Sequence, residues 1–491
     1  MSSHTSSDSA SKNKMMFFIH WLICLGCMLF FKYLPTVGSM TPYGMQIFGI
    51  FLGLLWGWMF IDFLNPSLAA LLVTILFVPD VTWATICAQG IGNQNILMMV
   101  VVLALAQYFE DSGLNQYLAN WFVARKINVG HPWIFCGVLM FAAFFFSTFA
   151  QIIPAMILMW SIVFKIAEKV GIPDKNKWIT YMIVGITMAA SYGCIAAPWQ
   201  IMGLVFLAAM TDAVGVAGNI GLWCVVFFIF TIASIILYLA MGRFILRLDV
   251  SKIENKEDLY ADIRSEKMNP EQKQAGIVMA LFIVLLMAPN FLPATFPLIA
   301  QLNTLSATGI IVVMLLIVHF MRDKKTGEGQ YDLNKLMKKS TQWNLIIMCA
   351  MCFPLINMME TEEAGVTATA VELIMPIVSG MGFVPTTILI AVILGLLTQF
   401  LHNMVLGLIF IPVFAQIALE LGGSPVVITI AISAALMTSF GTPAASTQSA
   451  LMFGNTSRCE KSDLFKMAFS CVFVGLICMA VVMVPIASIV F

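Results

Sequence analysis

Two polar residues, His402 and Asn403, lie side by side in the apolar run "QFLHNMVLGLIFIP" at 399–412. An imidazole can carry a proton or donate a hydrogen bond to a carboxylate, and an amide can offer an oxygen to a cation or an N–H to an anion. Polar side chains within an apolar segment are costly unless they face a polar cavity or a ligand. The pair therefore indicates a binding site for a small ion, which other elements of the chain must position.

The composition predicts that these elements are membrane helices. The 491-residue chain is 60% hydrophobic, 10% charged and has zero formal net charge, whereas soluble domains carry roughly 25% charged residues. Apolar runs near the ~20 residues that cross a bilayer recur along its length. We predict an all-α polytopic membrane protein with a polar cytoplasmic tail at 1–14 and no cleavable signal. The zero net charge argues against a nucleic-acid partner.

The distribution of basic residues predicts the topology. Two apolar stretches, about 132–170 and 385–420, are interrupted in the middle and are predicted to be re-entrant hairpins. With a cytoplasmic N-terminus, this arrangement places every Lys and Arg except Lys32 on the cytoplasmic face of the plasma (inner) membrane, and the C-terminus outside. The eleven remaining apolar segments are the predicted spans: 15–35, 42–62, 66–79, 94–111, 178–212, 219–242, 276–293, 303–321, 343–360, 426–454 and 467–491.

The chain contains an internal repeat, with halves at 15–245 and 276–491 joined by a charged cytoplasmic connector at 246–275. Gln151 lies 38 residues after Gly113, and Asn403 lies 38 residues after Gly365. Each hairpin is followed by a segment broken by Gly, Pro or Ser, "AASYGCIAAPW" (189–199) and "TSFGTPAASTQSA" (438–450). Inverted repeats with paired, interrupted helices are typical of secondary transporters, and free N–H groups at half-helix N-termini favour an anion.

These features resemble the divalent anion:sodium symporter (DASS) family of the ion transporter superfamily, from about Met15 to the C-terminus. The matching segments are "SGL" (112–114), "TQWN" (341–344), the two hairpins and the broken helix "TPAASTQSALMFG" (442–454). The resemblance implies a homodimer in the lipid bilayer, with a scaffold domain and a transport domain that moves by an elevator motion. It implies Na⁺ as the coupling ion and no other cofactor.

The sequence departs from the family at the hairpin tips, which usually read Ser-Asn-Thr. The equivalent triplets here are Ala150-Gln151-Ile152 and His402-Asn403-Met404. Each triplet keeps its central amide and loses both hydroxyl-bearing neighbours. The first helix break, "GCIAAPWQ" (193–200), also lacks the family's Thr and Asn. Sodium needs several oxygen ligands, so we expect weakened Na⁺ binding, more so in the first half.

The predicted site residues lie at the hairpin tips and helix breaks. By resemblance, the substrate-binding residues are Gln151, Ser191, His402, Asn403, Thr442, Pro443, Ser446 and Thr447. The ion-binding residues, through side-chain or backbone oxygens, are Ser147, Thr148, Ala150, Gln151, Gly193, Asn403, Ser439, Gly441 and Thr442. No catalytic triad, metal-ligand cluster or phosphate-binding Gly-rich loop is present, so the sequence predicts neither an enzyme nor a direct ATP-driven pump.

The expected function is secondary active transport of small organic anions, with di- and tricarboxylates implied by the resemblance. Coupling is either Na⁺ symport or anion exchange. One alternative is a smaller or less charged anion, coupled to a proton through His402 or to no cation. A second alternative is a transport-dead receptor that kept the fold.

Overall fold

The structure is a computed structural model that describes residues 4–125, 130–253, 267–293, 295–322, 330–378 and 380–491. The middle of the predicted connector, 254–266, lies outside the described residues. In the described residues of the first half there are eleven α-helices: α1 His4–Phe30, α2 Pro42–Phe60, α3 Asn65–Phe77, α4 Trp83–Gln89, α5 Gln94–Asp111, α6 Leu114–Val123, α7 Pro132–Phe149, α8 Ile152–Val170, α9 Lys177–Ala196, α10 Ile201–Val214 and α11 Ile220–Ala240.

The second half is built in the same way. Its helices are α12 Pro270–Phe291, α13 Pro297–Phe320, α14 Leu333–Ser340, α15 Trp343–Met359, α16 Val366–Val378, α17 Phe383–Leu397, α18 Asn403–Glu420, α19 Pro425–Leu436, α20 Thr447–Gly454, α21 Lys461–Cys478 and α22 Val484–Val490. Within the described ranges, nine helices are long and apolar enough to cross a membrane, or up to twelve if each bent pair is one span. The prediction of an all-α polytopic membrane protein is confirmed.

The spans predicted at 178–212 and 426–454 are each divided into two helices at the predicted breaks, α9–α10 and α19–α20. The observed helices differ from the predicted spans in two respects. The first helix begins at His4 instead of Met15, because extending an existing helix adds one hydrogen bond per residue at little cost. The short helices α4, α6, α14 and α16 were not predicted, because hydropathy averaging does not detect helices that are brief or polar on one face.

Both predicted hairpins are helix pairs, and each pair packs on the broken helix that follows it. Helix α9 contacts α7 and α8, and α19 contacts α17 and α18 in the same way. Gly193 makes one of these contacts possible, because a Cβ there would lie 2.2 Å from the Phe144 carbonyl oxygen. Each hairpin and its broken helix therefore form one packed unit.

Side chains also join the two halves. Gln416 in α18 donates from Nε2 to the Ala213 carbonyl in α10 at 2.6 Å. After α20, Arg458 donates to Glu168 at 2.6 Å and to Asp174 at 2.8 Å, near the end of α8. The hydrogen bonds to Asp174 and Glu168 raise the pKa of Arg458. The end of each hairpin is thus linked to the broken helix of the opposite half.

Candidate functional site

The tip of the second hairpin holds Asn403 in a fully buried position. Helix α17 ends at Leu397 and α18 begins at Asn403, so this amide lies at a helix N-terminus. Its Nδ2 donates to the Ser439 hydroxyl at 3.0 Å, and its Oδ1 accepts from the Met404 N–H at 2.8 Å. Asn403 therefore connects the hairpin tip directly to the break between α19 and α20.

A second amide at this tip, Gln399, makes more contacts across the break. Its Nε2 donates to the carbonyls of Gly395 at 2.7 Å and Thr438 at 3.0 Å. Its Oε1 accepts from the Gly441 N–H at 2.8 Å, and its carbonyl accepts from the Thr442 hydroxyl. The sequence prediction did not include Gln399, although this residue begins the apolar run 399–412 that contains Asn403.

Hydroxyl groups donate to two further carbonyls of the break. Ser446 donates to the Ser439 carbonyl and Ser449 to the Thr442 carbonyl, both at 2.6 Å. Ser446 also accepts from the Ser449 N–H at 3.3 Å as the N-cap of α20. We call the connected set the second-hairpin network; its members are Gln399, Asn403, Ser439, Gly441, Thr442, Ser446 and Ser449.

Three predicted substrate-binding residues lie beside this network, and among the described residues no hydrogen bond joins their side chains to it. The side chains of Pro443 and Thr447 are exposed. His402 is the N-cap of α18, and its Nδ1 accepts from the Met404 N–H at 3.3 Å. The His402 ring also meets Phe63 edge-to-face at 5.3 Å between centroids. An Nδ1 that accepts a hydrogen bond carries no proton, so this geometry favours the neutral imidazole.

The first hairpin tip has a different environment. Gln151 is the N-cap residue of α8, and its Oε1 accepts from Gln342 Nε2 at 2.7 Å. Both side chains line a cavity of about 160 Å³ together with Gln107, Glu110 and Lys339. Ala150 lines a neighbouring cavity of about 230 Å³. Gln151 therefore faces polar space beside the start of α15.

The first helix break supplies nitrogen donors to the first hairpin. The Thr148 carbonyl accepts from Trp199 Nε1 at 2.8 Å and from Gln200 Nε2 at 3.1 Å. The Ser147 hydroxyl donates to the Ala190 carbonyl at 2.5 Å, and Ser191 donates to Thr187 in its own helix at 2.8 Å. The hydroxyls of Ser147 and Ser191 are thus already engaged with backbone oxygens.

The structure brings five predicted second-half residues into one network and leaves Gln151 apart from it; the five are Asn403, Ser439, Gly441, Thr442 and Ser446. In the part of the chain that the structure describes, no hydrogen bond joins Gln151 to the second-hairpin network. Nor do three His, Cys, Asp or Glu side chains gather there as a transition-metal site. The residues that the sequence prediction missed are Trp199, Gln200, Gln342, Gln399 and Ser449.

Comparison with known proteins identifies the family. A family profile described as citrate transporter, CitMHS, matches residues 51–406, which is more than half of the chain. The chain belongs to the citrate transporter family. As a family member it is a multi-pass membrane protein and a secondary transporter; the family is one of transporters and not of enzymes. No curated protein matches its sequence.

A solved structure supports the fold of this citrate transporter family member. The YdaH transporter of Alcanivorax borkumensis, described as having an unusual topology, superposes with a TM-score of 0.57. The match covers 96% of this chain and 97% of that one at 15% sequence identity. At this identity the likeness extends to the fold alone.

Proposed function

We propose that this chain is a secondary active transporter of di- and tricarboxylates that works by an elevator motion. The observation that carries the proposal is the pairing of each hairpin with a broken helix, because helices begin at both tips and after both breaks. The four helices that begin there are α8, α10, α18 and α20. Their N-terminal N–H groups favour anionic ligands, which fits the substrate named in the family description.

The contacts of the tips support an inward-facing state. Gln151 contacts Gln342, and His402 contacts Phe63. The basic-residue distribution predicts that both Gln342 and Phe63 lie at the cytoplasmic ends of their helices. We therefore propose that α7–α11 and α17–α21 form the moving unit and lie near the cytoplasmic side, while α2, α3 and α15 belong to the scaffold. The predicted homodimer would join two scaffolds.

A specific observation favours one alternative substrate class. Met404 is 1% exposed beside Asn403, and Ile152 follows Gln151 where the related family usually places a hydroxyl residue. Fewer donors at the tips suit an anion with fewer carboxylates. A monocarboxylate is therefore the second candidate.

A competition panel in proteoliposomes tests the substrate class. Uptake of labelled citrate would be measured with a 100-fold excess of succinate, tricarballylate, acetate, lactate or glutamine. We expect inhibition by succinate and tricarballylate alone. Inhibition by acetate or lactate, with none by succinate, would replace the proposal with the monocarboxylate alternative. Binding of citrate without uptake would identify the receptor alternative.

A further inference from the structure

The carbonyl groups at the helix breaks are the groups that a coupling cation would need. Sodium is held by oxygen atoms, and in transporters with broken helices the C-terminal ends of half-helices supply them. In the second half, Gly395 lies in the last turn of α17, and Thr438 follows the end of α19. Both carbonyls therefore lie at the negative ends of helix dipoles.

These two carbonyls are occupied by the amide nitrogen of Gln399, which is 1% exposed. Nε2 lies 2.7 Å from the Gly395 oxygen, 3.0 Å from the Thr438 oxygen and 3.5 Å from Thr438 Oγ1. The orientation of the amide is fixed by its partners, because carbonyls only accept and the Gly441 N–H only donates. Glycine at 441 permits this approach, since a Cβ there would lie 2.6 Å from Gln399 Oε1.

The first half shows the same chemistry with different residues. The Thr148 carbonyl lies in the last turn of α7 and accepts from both Trp199 and Gln200. A carbonyl oxygen has two lone pairs, so two donors leave none for an ion. In both halves, side-chain nitrogen donors of the protein therefore bind carbonyl oxygens at helix C-terminal ends: Thr148 in the first half, Gly395 and Thr438 in the second.

We infer that these N–H groups replace the coupling cations. In the second half, Gln399 Nε2 lies among the Gly395 carbonyl, the Thr438 carbonyl and Thr438 Oγ1, a set of oxygens that we call the oxygen cage. The partial positive charge of an amide N–H offsets the converging helix dipoles without an ion. The present residues therefore do not fit Na⁺ at either break. Gln399 is a positioning residue, and the consequence for coupling rests on the proposed function: organic anions are moved without Na⁺.

The decisive variant is Gln399→Glu, measured by thermal unfolding of the purified full-length protein at pH 8. A carboxylate of almost the same shape has no N–H to donate, so the cage becomes a set of oxygens with a negative charge, which is a sodium ligand set. Glutamate is ionised at this pH in an ordinary environment. We expect the wild type to unfold at the same temperature in NaCl and in choline chloride. We expect the variant to unfold lower in choline chloride and to regain at least about 2 °C in NaCl.

Gln416→Glu is the matched control, because it makes the same change in the same hairpin, where Nε2 has the single carbonyl partner Ala213. It should show no selective gain in NaCl. A wild type that is stabilised by NaCl over choline chloride by about 2 °C or more would overturn the inference, whether or not the variant folds. So would a folded Gln399→Glu variant that does not distinguish the two salts. The assay uses no organic anion, so its outcome is independent of a failure of the proposed transport function.

Discussion

Removal of the Asn403 amide is the most informative perturbation of the second-hairpin network. Asn403 is fully buried, and its Nδ2 is 3.0 Å from the Ser439 hydroxyl. Asn403→Ala deletes this bond and leaves a buried hydroxyl without its donor, which costs about 1–3 kcal/mol. Since 1.36 kcal/mol corresponds to a tenfold change in rate, a network that sets the binding geometry predicts a loss of about 5- to 150-fold in citrate uptake.

The assay is the initial rate of labelled citrate uptake into proteoliposomes, normalised to the amount of reconstituted protein. Ser433→Ala is the matched control, because Ser433 is fully buried in α19 and its hydroxyl has no hydrogen-bond partner among the described residues. This variant should transport within about twofold of the wild type. An Asn403→Ala rate in the same range would refute the assignment of Asn403 to the site.

A double-mutant cycle separates positioning from direct substrate contact. If Asn403 acts by holding Ser439, the Asn403→Ala/Ser439→Ala variant should lose less activity than the two single variants together, with a coupling of about 0.5–3 kcal/mol. If the Asn403 amide instead binds the carboxylate independently of Ser439, the two losses will add.

Three further predictions concern conformation, protonation and topology. Oxidation of a Gln151→Cys/Gln342→Cys protein should stop uptake by fixing the inward-facing contact, and dithiothreitol should restore it; single-cysteine variants that respond equally would implicate native thiols. His402→Asn keeps an acceptor at the N-cap, so uptake should keep its pH profile between about pH 5.5 and 7.5; a flattened profile would instead establish proton binding at His402. Lys175→Cys and Glu362→Cys should label from opposite sides of the membrane, and labelling from one side would exclude the inverted topology.

The positions of the hairpin tips and of the helix breaks were predictable because they follow from local sequence and from the repeat. The equal spacing from Gly113 to Gln151 and from Gly365 to Asn403 placed both tips, and α8 and α18 begin at or next to those amides. Apolar run length likewise predicted the fold class. These signals depend only on neighbouring residues and on membrane thickness.

The polar chemistry of the breaks was less predictable because it depends on distant parts of the chain. Gln399 lies at the second hairpin tip and contacts Thr438 and Gly441, which belong to the broken helix that follows the hairpin. No local sequence pattern distinguishes this amide from that of an ordinary helical glutamine. Ser191 was predicted to bind substrate, and in the structure its hydroxyl donates to the Thr187 carbonyl of the same helix, a common alternative for serine. Sidedness, dimer formation and the substrate stay predictions.

Counterflow in sodium-free proteoliposomes tests the central claim most directly. Liposomes with purified protein would be preloaded with unlabelled citrate in choline buffer and diluted into the same buffer with a trace of labelled citrate. The proposed transporter predicts transient accumulation of label in the preloaded liposomes, none in empty liposomes, and a rate about 5- to 150-fold lower with Asn403→Ala. Absence of accumulation in the preloaded liposomes, or accumulation only when Na⁺ is added, would contradict sodium-independent transport of organic anions by this chain.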